Sequence, residues 1–168
     1  VEAARERVLS MEEIASVWRA AGLLGYPAGP WARVLMLTGQ RRSEVAGMRW
    51  ADVDLDAGTW ILTASQTKAK RGHLVPLPAA ALAIIRDLPR LGEYVFATTA
   101  KAPMRGFARD KAQLDEWLES KGEGLAEAWR FHDLRRSAAT HMVRLGVSEL
   151  VVSRVLNHAV TGVTGKHY

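Results

Sequence analysis

Between residues 50 and 77 the apolar residues tend to alternate with polar ones, whereas the flanking segments repeat them every three or four residues. This change from helical to strand spacing restricts the chain to folds that combine a small sheet with helices. Turn signals at residues 56–58 and 68–72 divide the alternating segment into strands near residues 50–55, 59–63 and 73–77. We therefore expect a small three-stranded antiparallel sheet.

The rest of the chain is predicted to be mostly helical, with recognisable end signals. Ser10 and Glu13 form a capping box before the first helix, and Ser148 is placed to cap the last one. The second helix is expected to enter through Pro30 and to stop near Gly39. Predicted helices span residues 11–21, 30–39, 43–48, 78–88, 106–120, 132–145 and 148–156, with connecting loops that include residues 98–103. The 168 residues predict a single, mainly helical α+β domain.

The composition excludes several classes of protein. Without cysteine there is no disulfide scaffold, thiol catalysis or Cys-zinc site. The longest apolar run, residues 79–85, is far shorter than the roughly 18 residues of a membrane span, and the first residues lack the apolar core of a secretory signal. We expect a cytoplasmic protein. The net charge of +5 and the pI near 9.9 favour a polyanionic partner, and the cations cluster at residues 67–73 and 130–136.

The first candidate motif is Thr-Gly-Gln-Arg-Arg-Ser-Glu, residues 38–44. Its glycine separates two helices and puts Arg41 at or just before a helix start. Free N–H groups and a guanidinium fork both favour an anion there. The alternative is a solvated arginine in an ordinary turn between helices.

Two further motifs carry cations. His132 and Arg135 are three residues apart and share one face of a predicted helix, which sets a proton-transfer group beside a fixed cation. Lys68 lies in the predicted turn between the second and third strands, from which an ammonium group reaches a phosphate or a base edge. Each motif alone also fits ordinary surface charge.

The end of the chain supplies His158 and Tyr168. A histidine can donate to a phosphoryl oxygen near neutral pH, and a tyrosine phenol can become a covalent nucleophile. We also weighed a zinc site made from all or some of His132, His141, His158 and His167. The pattern contains no HExxH and no i,i+4 histidine pair, so we expect no metal.

Taken together, these motifs resemble the catalytic domain of the tyrosine recombinases, the family that includes the phage integrases. The resemblance rests on their order and covers nearly the whole chain: the Thr-Gly-x-Arg-x-x-Glu motif, Thr67-Lys68 before the third strand, His-x-x-Arg, Leu-x-His at residues 156–158, and a final tyrosine. It implies an integrase-like catalytic fold that acts on double-stranded DNA without ATP, metal or any other cofactor. The implied catalytic residues are Arg41, Lys68, His132, Arg135, His158 and Tyr168.

The resemblance also implies roles in site-specific recombination through a 3′-phosphotyrosyl intermediate. Tyr168 would attack the phosphodiester, His132 would accept its proton, and Lys68 would protonate the departing 5′-oxygen. The two arginines would clamp the non-bridging oxygens and His158 would donate to one of them. We interpret Glu44 and Asp133 as groups that orient the arginines or the helix terminus.

Two features depart from the family pattern. The nucleophile usually follows the last histidine by nine residues, a position held here by His167, whereas Tyr168 follows it by ten. We favour one extra residue in the loop at 159–165 over an inactive site. The chain also stops at this tyrosine, without the N-terminal DNA-binding domain and C-terminal segment of relatives. We therefore expect residues 1–168 to be a catalytic-domain fragment with reduced DNA affinity, monomeric alone and part of a synaptic tetramer when full length.

Other functions remain open from the residues alone. One is a DNA-binding module on the same scaffold that performs no chemistry. Another is a type IB topoisomerase-like enzyme that relaxes supercoils by the same chemistry. A third is a regulator that inserts the helix from Ser43 or Ser148 into the major groove.

Overall fold

The computed structural model describes residues 7–67 and 70–158 and confirms the mainly helical α+β class. Its elements in chain order are α1 (Met11–Ala21), α2 (Ala28–Thr38), α3 (Arg42–Ala46), β1 (Val53–Asp54), β2 (Thr59–Leu62), β3 (His73–Pro76), α4 (Ala79–Arg86), β4 (Ala97–Thr99), β5 (Ala102–Pro103), α5 (Phe107–Ser120), α6 (Phe131–Arg144) and α7 (Glu149–Val155). Within these ranges no helix is long and apolar enough to cross a bilayer.

The helix ends follow the capping signals closely, with one exception. The Ser10 hydroxyl accepts from the backbone N–H of Glu13 and the Glu13 carboxylate accepts from that of Ser10, so the capping box is confirmed. The predicted entry of α2 through Pro30 is wrong, because the helix begins at Ala28. Pro30 lies in its first turn, where backbone N–H groups have no partner within the helix and a proline does no harm.

The predicted three-stranded antiparallel sheet is confirmed, with strand order β1-β2-β3. Trp60 in β2 pairs with Val53 on one side and Val75 on the other, and its side chain is fully buried. The first strand is shorter than expected because Trp50 belongs to a single 3-10 turn that precedes it. The strands β2 and β3 are joined by the segment that contains Lys68.

A second, two-stranded sheet occupies the stretch predicted to be a connecting loop. Ala97 in β4 pairs with Pro103 in β5, and the N–H of Met104 donates to the carbonyl of Phe96 at 2.7 Å. The loop prediction failed because Pro103 is a turn signal in most contexts. A proline is tolerated at the edge of so short a sheet, where no ladder donor is needed from it.

The core joins the helices through an aromatic cluster at the base of α6. Trp31 of α2 is fully buried, and its ring centroid lies 5.0 Å from that of Phe107 and 4.9 Å from that of Phe131. Phe131 also contacts Trp129 edge-on at 5.6 Å. Because α6 begins at Phe131, this cluster fixes the position of the next residue, His132.

Candidate active site

The turn between α2 and α3 presents Arg41. Gly39 ends α2 with a positive φ of 63°, and a Cβ added there would lie 2.9 Å from the side chain of Leu156, so the turn passes close against the end of α7. Arg41 is the N-cap of α3, and the Glu44 carboxylate accepts from both its backbone N–H (3.0 Å) and its Nη1 (2.9 Å). The buried Glu44 thus holds Arg41, whose side chain remains 23% exposed.

Arg135, on the second turn of α6, is only 4% exposed and ties two other segments together. Its Nη1 donates to the carbonyl of Gly39 at 2.9 Å and its Nη2 donates to the carbonyl of Leu156. Burial, and then repulsion by Arg41, lowers the pKa of Arg135 to about 10, while Glu44 acts in the opposite direction. Arg135 therefore stays protonated at neutral pH.

The end of α7 forms a Schellman motif that presents His158. The N–H of Asn157 donates to Arg154 and the N–H of His158 donates to Ser153 at 2.8 Å, while Asn157 takes a left-handed conformation with φ 51°. Asparagine tolerates this conformation better than most residues. The sharp turn directs the chain out of the helix at His158, whose side chain is exposed.

Side chains from the rest of the site satisfy the carbonyl groups at this end of α7. Gln40 Nε2 and His73 Nε2 approach the carbonyl of Val155 at 2.9 and 3.0 Å, and Arg71 donates to the carbonyl of His158 at 2.7 Å. Arg135 adds its bond to the carbonyl of Leu156. Side chains from the α2–α3 turn, the β2–β3 connection and α6 thus bind the last carbonyl groups of α7, which have no hydrogen-bond partner within the helix. Sequence reasoning missed the roles of Gln40, Arg71 and His73, because only the folded position of α7 reveals them.

The site brings Arg41, His132, Arg135 and His158 into one electrostatic cluster. Partial burial, followed by the charges of Arg135, Arg136 and Arg41, lowers the pKa of His132, and Asp133 offsets only part of this effect. Partial burial, then Arg135, Arg41 and His132, also lowers the pKa of His158. Both shifts favour the neutral imidazole. Their predicted catalytic roles remain predictions.

The two carboxylates that were predicted to orient the site are both buried and engaged. Glu44 binds Arg41, as described above. The Asp133 carboxylate accepts from the backbone N–H of Arg130 at 2.8 Å and lies 3.7 Å from Arg136, so it caps the start of α6.

Two predicted catalytic residues, Lys68 and Tyr168, lie outside the described residues. Next to Lys68, the buried Thr67 hydroxyl donates to the carbonyl of Arg71 at 2.8 Å and lies 3.2 Å from its N–H. That contact fixes the base of the connection between β2 and β3, from which Arg71 reaches His158.

Within residues 7–67 and 70–158, no cluster of three or more histidine, aspartate or glutamate side chains could hold a metal ion. His141, which we weighed as a ligand, instead binds the carbonyl of Leu9 through Nε2 at 2.8 Å. His167 lies beyond the described range. The described site thus offers cations and neutral imidazoles, an arrangement suited to an anionic ligand.

Comparison with known proteins gives consistent matches over most of the chain. The model of the phage integrase family matches residues 11–168. Prophage integrase IntF of Escherichia coli is 27% identical over 95% of this chain and 34% of its own length. Tyrosine recombinase XerD of Mycobacterium leprae is 30% identical over 89% of this chain and 50% of its own length. The chain therefore spans half or less of these two relatives.

A solved structure supports the fold assignment. The catalytic domain of bacteriophage HP1 integrase superposes with a TM-score of 0.68 at 20% identity, covering 93% of this chain and 83% of that one. At this level of identity the match establishes a shared fold.

Proposed function

The chain belongs to the phage integrase family of tyrosine recombinases, and from that premise we propose that it cuts and rejoins DNA strands through a 3′-phosphotyrosyl intermediate in site-specific recombination. One observation carries the proposal. Arg41, His132, Arg135 and His158, chosen by motif order, come from three separate parts of the chain and share one electrostatic cluster.

The two arginines would stabilise the charge that develops on the non-bridging oxygens of the reacting phosphate. Arg135 has five N–H donors, and its described bonds to Gly39 and Leu156 occupy two of them. Arg41 is held by Glu44, and within residues 7–67 and 70–158 its other guanidinium N–H groups form no further hydrogen bond. One well-placed donor to a developing charge contributes about 3 to 4 kcal/mol of barrier lowering.

The proton inventory of the proposed reaction balances with the residues named. The Tyr168 oxygen forms a bond to phosphorus as the bond from phosphorus to the 5′-oxygen breaks. His132 takes the phenol proton, since its lowered pKa favours the neutral ring that can accept one, and Lys68 gives a proton to the 5′-oxygen. His158 donates one ring N–H to a phosphate oxygen. In the second step Lys68 takes the proton of an incoming 5′-hydroxyl as that oxygen attacks the phosphotyrosine. His132 returns its proton to the Tyr168 oxygen as the bond from that oxygen to phosphorus breaks, so the bond energy is retained without ATP.

The setting of this reaction follows from the same premise. We propose that residues 1–168 act as the catalytic domain of a longer recombinase whose partners are double-stranded DNA and further subunits in a synaptic tetramer. The chain alone is expected to be monomeric with reduced DNA affinity. Since the substrate is DNA, we place its action in the cytoplasm.

A trapping experiment tests the chemistry without knowledge of the target sequence. The chain is incubated with a 5′-labelled library of randomised duplexes that carry a nick just beyond the cleavable position, so that the released fragment diffuses away. We expect a covalent protein–DNA adduct that resists detergent and disappears in Tyr168→Phe. The matched variant His167→Gln retains it.

Each other outcome has a defined meaning. An adduct that still forms in Tyr168→Phe would show that Tyr168 is not the nucleophile. DNA binding without any adduct favours the non-catalytic DNA-binding module, the alternative suggested by the spacing of ten residues between His158 and Tyr168.

A further inference from the structure

A basic cleft lies beside the proposed active site, between the start of α3 and the start of α6. It encloses about 340 Å³ and is lined by Arg41, Arg42, Ser43, Arg130, Phe131 and His132. None of these six residues is acidic, and four of them carry a guanidinium or imidazole group. We propose that this cleft binds the backbone phosphate next to the scissile phosphate, with Arg42 and Arg130 as its ligands. The inference rests on the proposed function.

Arg42 is held in an orientation suited to phosphate. Its guanidinium carbon lies 4.7 Å from the centroid of the Phe107 ring, and Phe107 in turn packs on the buried Trp31. A guanidinium stacked on an aromatic face keeps its N–H donors in the plane of the stack, pointing outward. Arg42 is exposed and lines the cleft, so a ligand in the cleft can reach its guanidinium.

Arg130 approaches the cleft from the other side. It is the N-cap of α6 in an extended conformation, with its backbone N–H bound by Asp133 at 2.8 Å. Its side chain is exposed. In the part of the chain that the structure describes, neither Arg42 nor Arg130 forms an ion pair with a carboxylate.

The neighbouring carboxylates are committed elsewhere, so the cleft keeps its positive charge. Glu44 binds Arg41, and Asp133 caps α6 and lies near Arg136; both carboxylates are at most 4% exposed in their side chains. An anion that enters the cleft replaces repulsion among arginines by attraction.

The position of the cleft selects a DNA phosphate among possible anions. Arg41 and His132 belong both to the cleft and to the proposed catalytic cluster, so the occupant lies next to the reacting phosphate. Successive phosphates of one strand follow at about 3.4 Å along the helix axis, which puts a second charge within reach of the same wall. Binding two successive phosphates would fix the orientation of the DNA strand as well as the position of the reacting phosphate.

Salt dependence of DNA binding tests the subsite directly. We compare Arg42→Gln, Arg130→Gln and the double variant with wild type on a mixed-sequence duplex, and use Arg90→Gln as the matched control because Arg90 is an exposed arginine stacked on Trp50 at 4.4 Å. Each lost phosphate contact lowers the slope of log affinity against log salt by about 0.9. Because both arginines bind one phosphate, the slope of the double variant should be lower by about 0.9, so between 50 and 200 mM salt it should lose about 3.5-fold less affinity than wild type. A wild-type slope in the double variant overturns the proposal.

Neutral phosphate analogues provide a second test, in which the charge is removed from the DNA rather than only from the protein. The DNA is the duplex whose sequence was trapped in the adduct experiment, or the mixed-sequence duplex if no adduct forms. A single phosphate of one strand is replaced by an uncharged methylphosphonate, and the position of the replacement is varied along the strand. On the trapped duplex, a methylphosphonate next to the scissile phosphate should weaken DNA binding by wild type and leave binding by the double variant unchanged. If its effect on both proteins is equal, the subsite is wrong.

The two proposals fail separately. An adduct together with an unchanged salt slope contradicts the subsite and leaves the chemistry intact. A lowered slope without any adduct, in wild type or variant, supports a phosphate grip and contradicts the proposed reaction.

Discussion

The turn between α2 and α3 and the second turn of α6 each hold an arginine of the proposed site, and they hold it in opposite ways. Arg41 is partly exposed and paired with the carboxylate of Glu44. Arg135 is buried, and its described partners are the neutral carbonyls of Gly39 and Leu156. The pKa of Arg135 accordingly falls to about 10, with burial as the main cause. We therefore expect Arg135 to contribute both to the stability of the fold and to phosphate binding, and Arg41 to contribute mainly to phosphate binding.

The largest effect is expected from Arg135→Ala, which breaks the buried half of this comparison. It leaves two carbonyls of the α2–α3 turn and the α7 end without their donor, at a cost of about 3 kcal/mol in the free energy of unfolding. For a domain of this size that lowers the melting temperature by about 10 °C. Thermal melts followed by circular dichroism check the fold, and the trapping assay should show no adduct.

Arg135→Lys refines the same prediction. The lysine ammonium keeps the charge but cannot bind both carbonyls at once as the guanidinium does. Arg135→Lys should therefore also lower the free energy of unfolding. A lysine variant as stable as wild type would show that the carbonyl bonds do not stabilise the fold.

Arg41→Gln should separate chemistry from stability. We expect adduct formation to slow by about 100- to 1,000-fold, because one charge-stabilising donor is lost from the transition state. The free energy of unfolding should fall by about 1 to 2 kcal/mol, less than in Arg135→Ala, because the buried Glu44 carboxylate loses its charged partner but keeps the bond from the backbone N–H of residue 41. Arg49→Gln is the matched control, since Arg49 pairs with Glu93 at 3.1 Å away from the cluster. Equal rate losses in both variants would contradict the role of Arg41.

Glu44→Gln makes the surroundings of Arg41 resemble those of Arg135, with a neutral acceptor in place of the carboxylate. Bonds from charged donors to a neutral group are weaker than to a carboxylate, so we expect a loss of about 1 kcal/mol in urea unfolding. The adduct rate should fall less than in Arg41→Gln, because the guanidinium itself remains. A rate loss larger than that of Arg41→Gln would give Glu44 a direct chemical role.

The smallest effect concerns acid stability. Burial and neighbouring arginines lower the pKa of both His132 and His158 in the fold, so the unfolded chain binds protons more readily. Stability is then fully present above the ordinary histidine value of about 6.5 and declines as pH falls through the lowered values. Urea titrations between pH 7 and 5 should show a smaller decline in the His132→Gln, His158→Gln double variant. A decline unchanged by both substitutions would assign it to other groups.

The sequence predicts local features of this comparison well and distant ones poorly. The glycine before Arg41 and the spacing of His132 and Arg135 lie within a few residues, so their geometry follows from helix ends and helical periodicity. The carbonyl partners of Arg135 lie 96 and 21 residues away, and no short-range rule indicates them. The same holds for Gln40 and His73, whose shared acceptor, Val155, becomes available only because α7 ends beside them.

The second sheet shows the complementary failure. Its strands contain two and three residues, too few for alternation to register, and Pro103 suggested a loop. Pairing was decided by the buried neighbours Val95 and Phe96, which anchor the segment to the core.

The most direct test of the account asks whether the histidines sense the same phosphate as the arginines. Proton NMR titrations of the histidine rings are recorded with and without duplex DNA. The variant Tyr168→Phe is used because it cannot react covalently with the DNA. A phosphate held by Arg41 and Arg135 offsets their charge, so the pKa values of His132 and His158, both lowered in the free protein, should rise on binding. Bound DNA that leaves His132 and His158 unchanged would contradict a shared phosphate site.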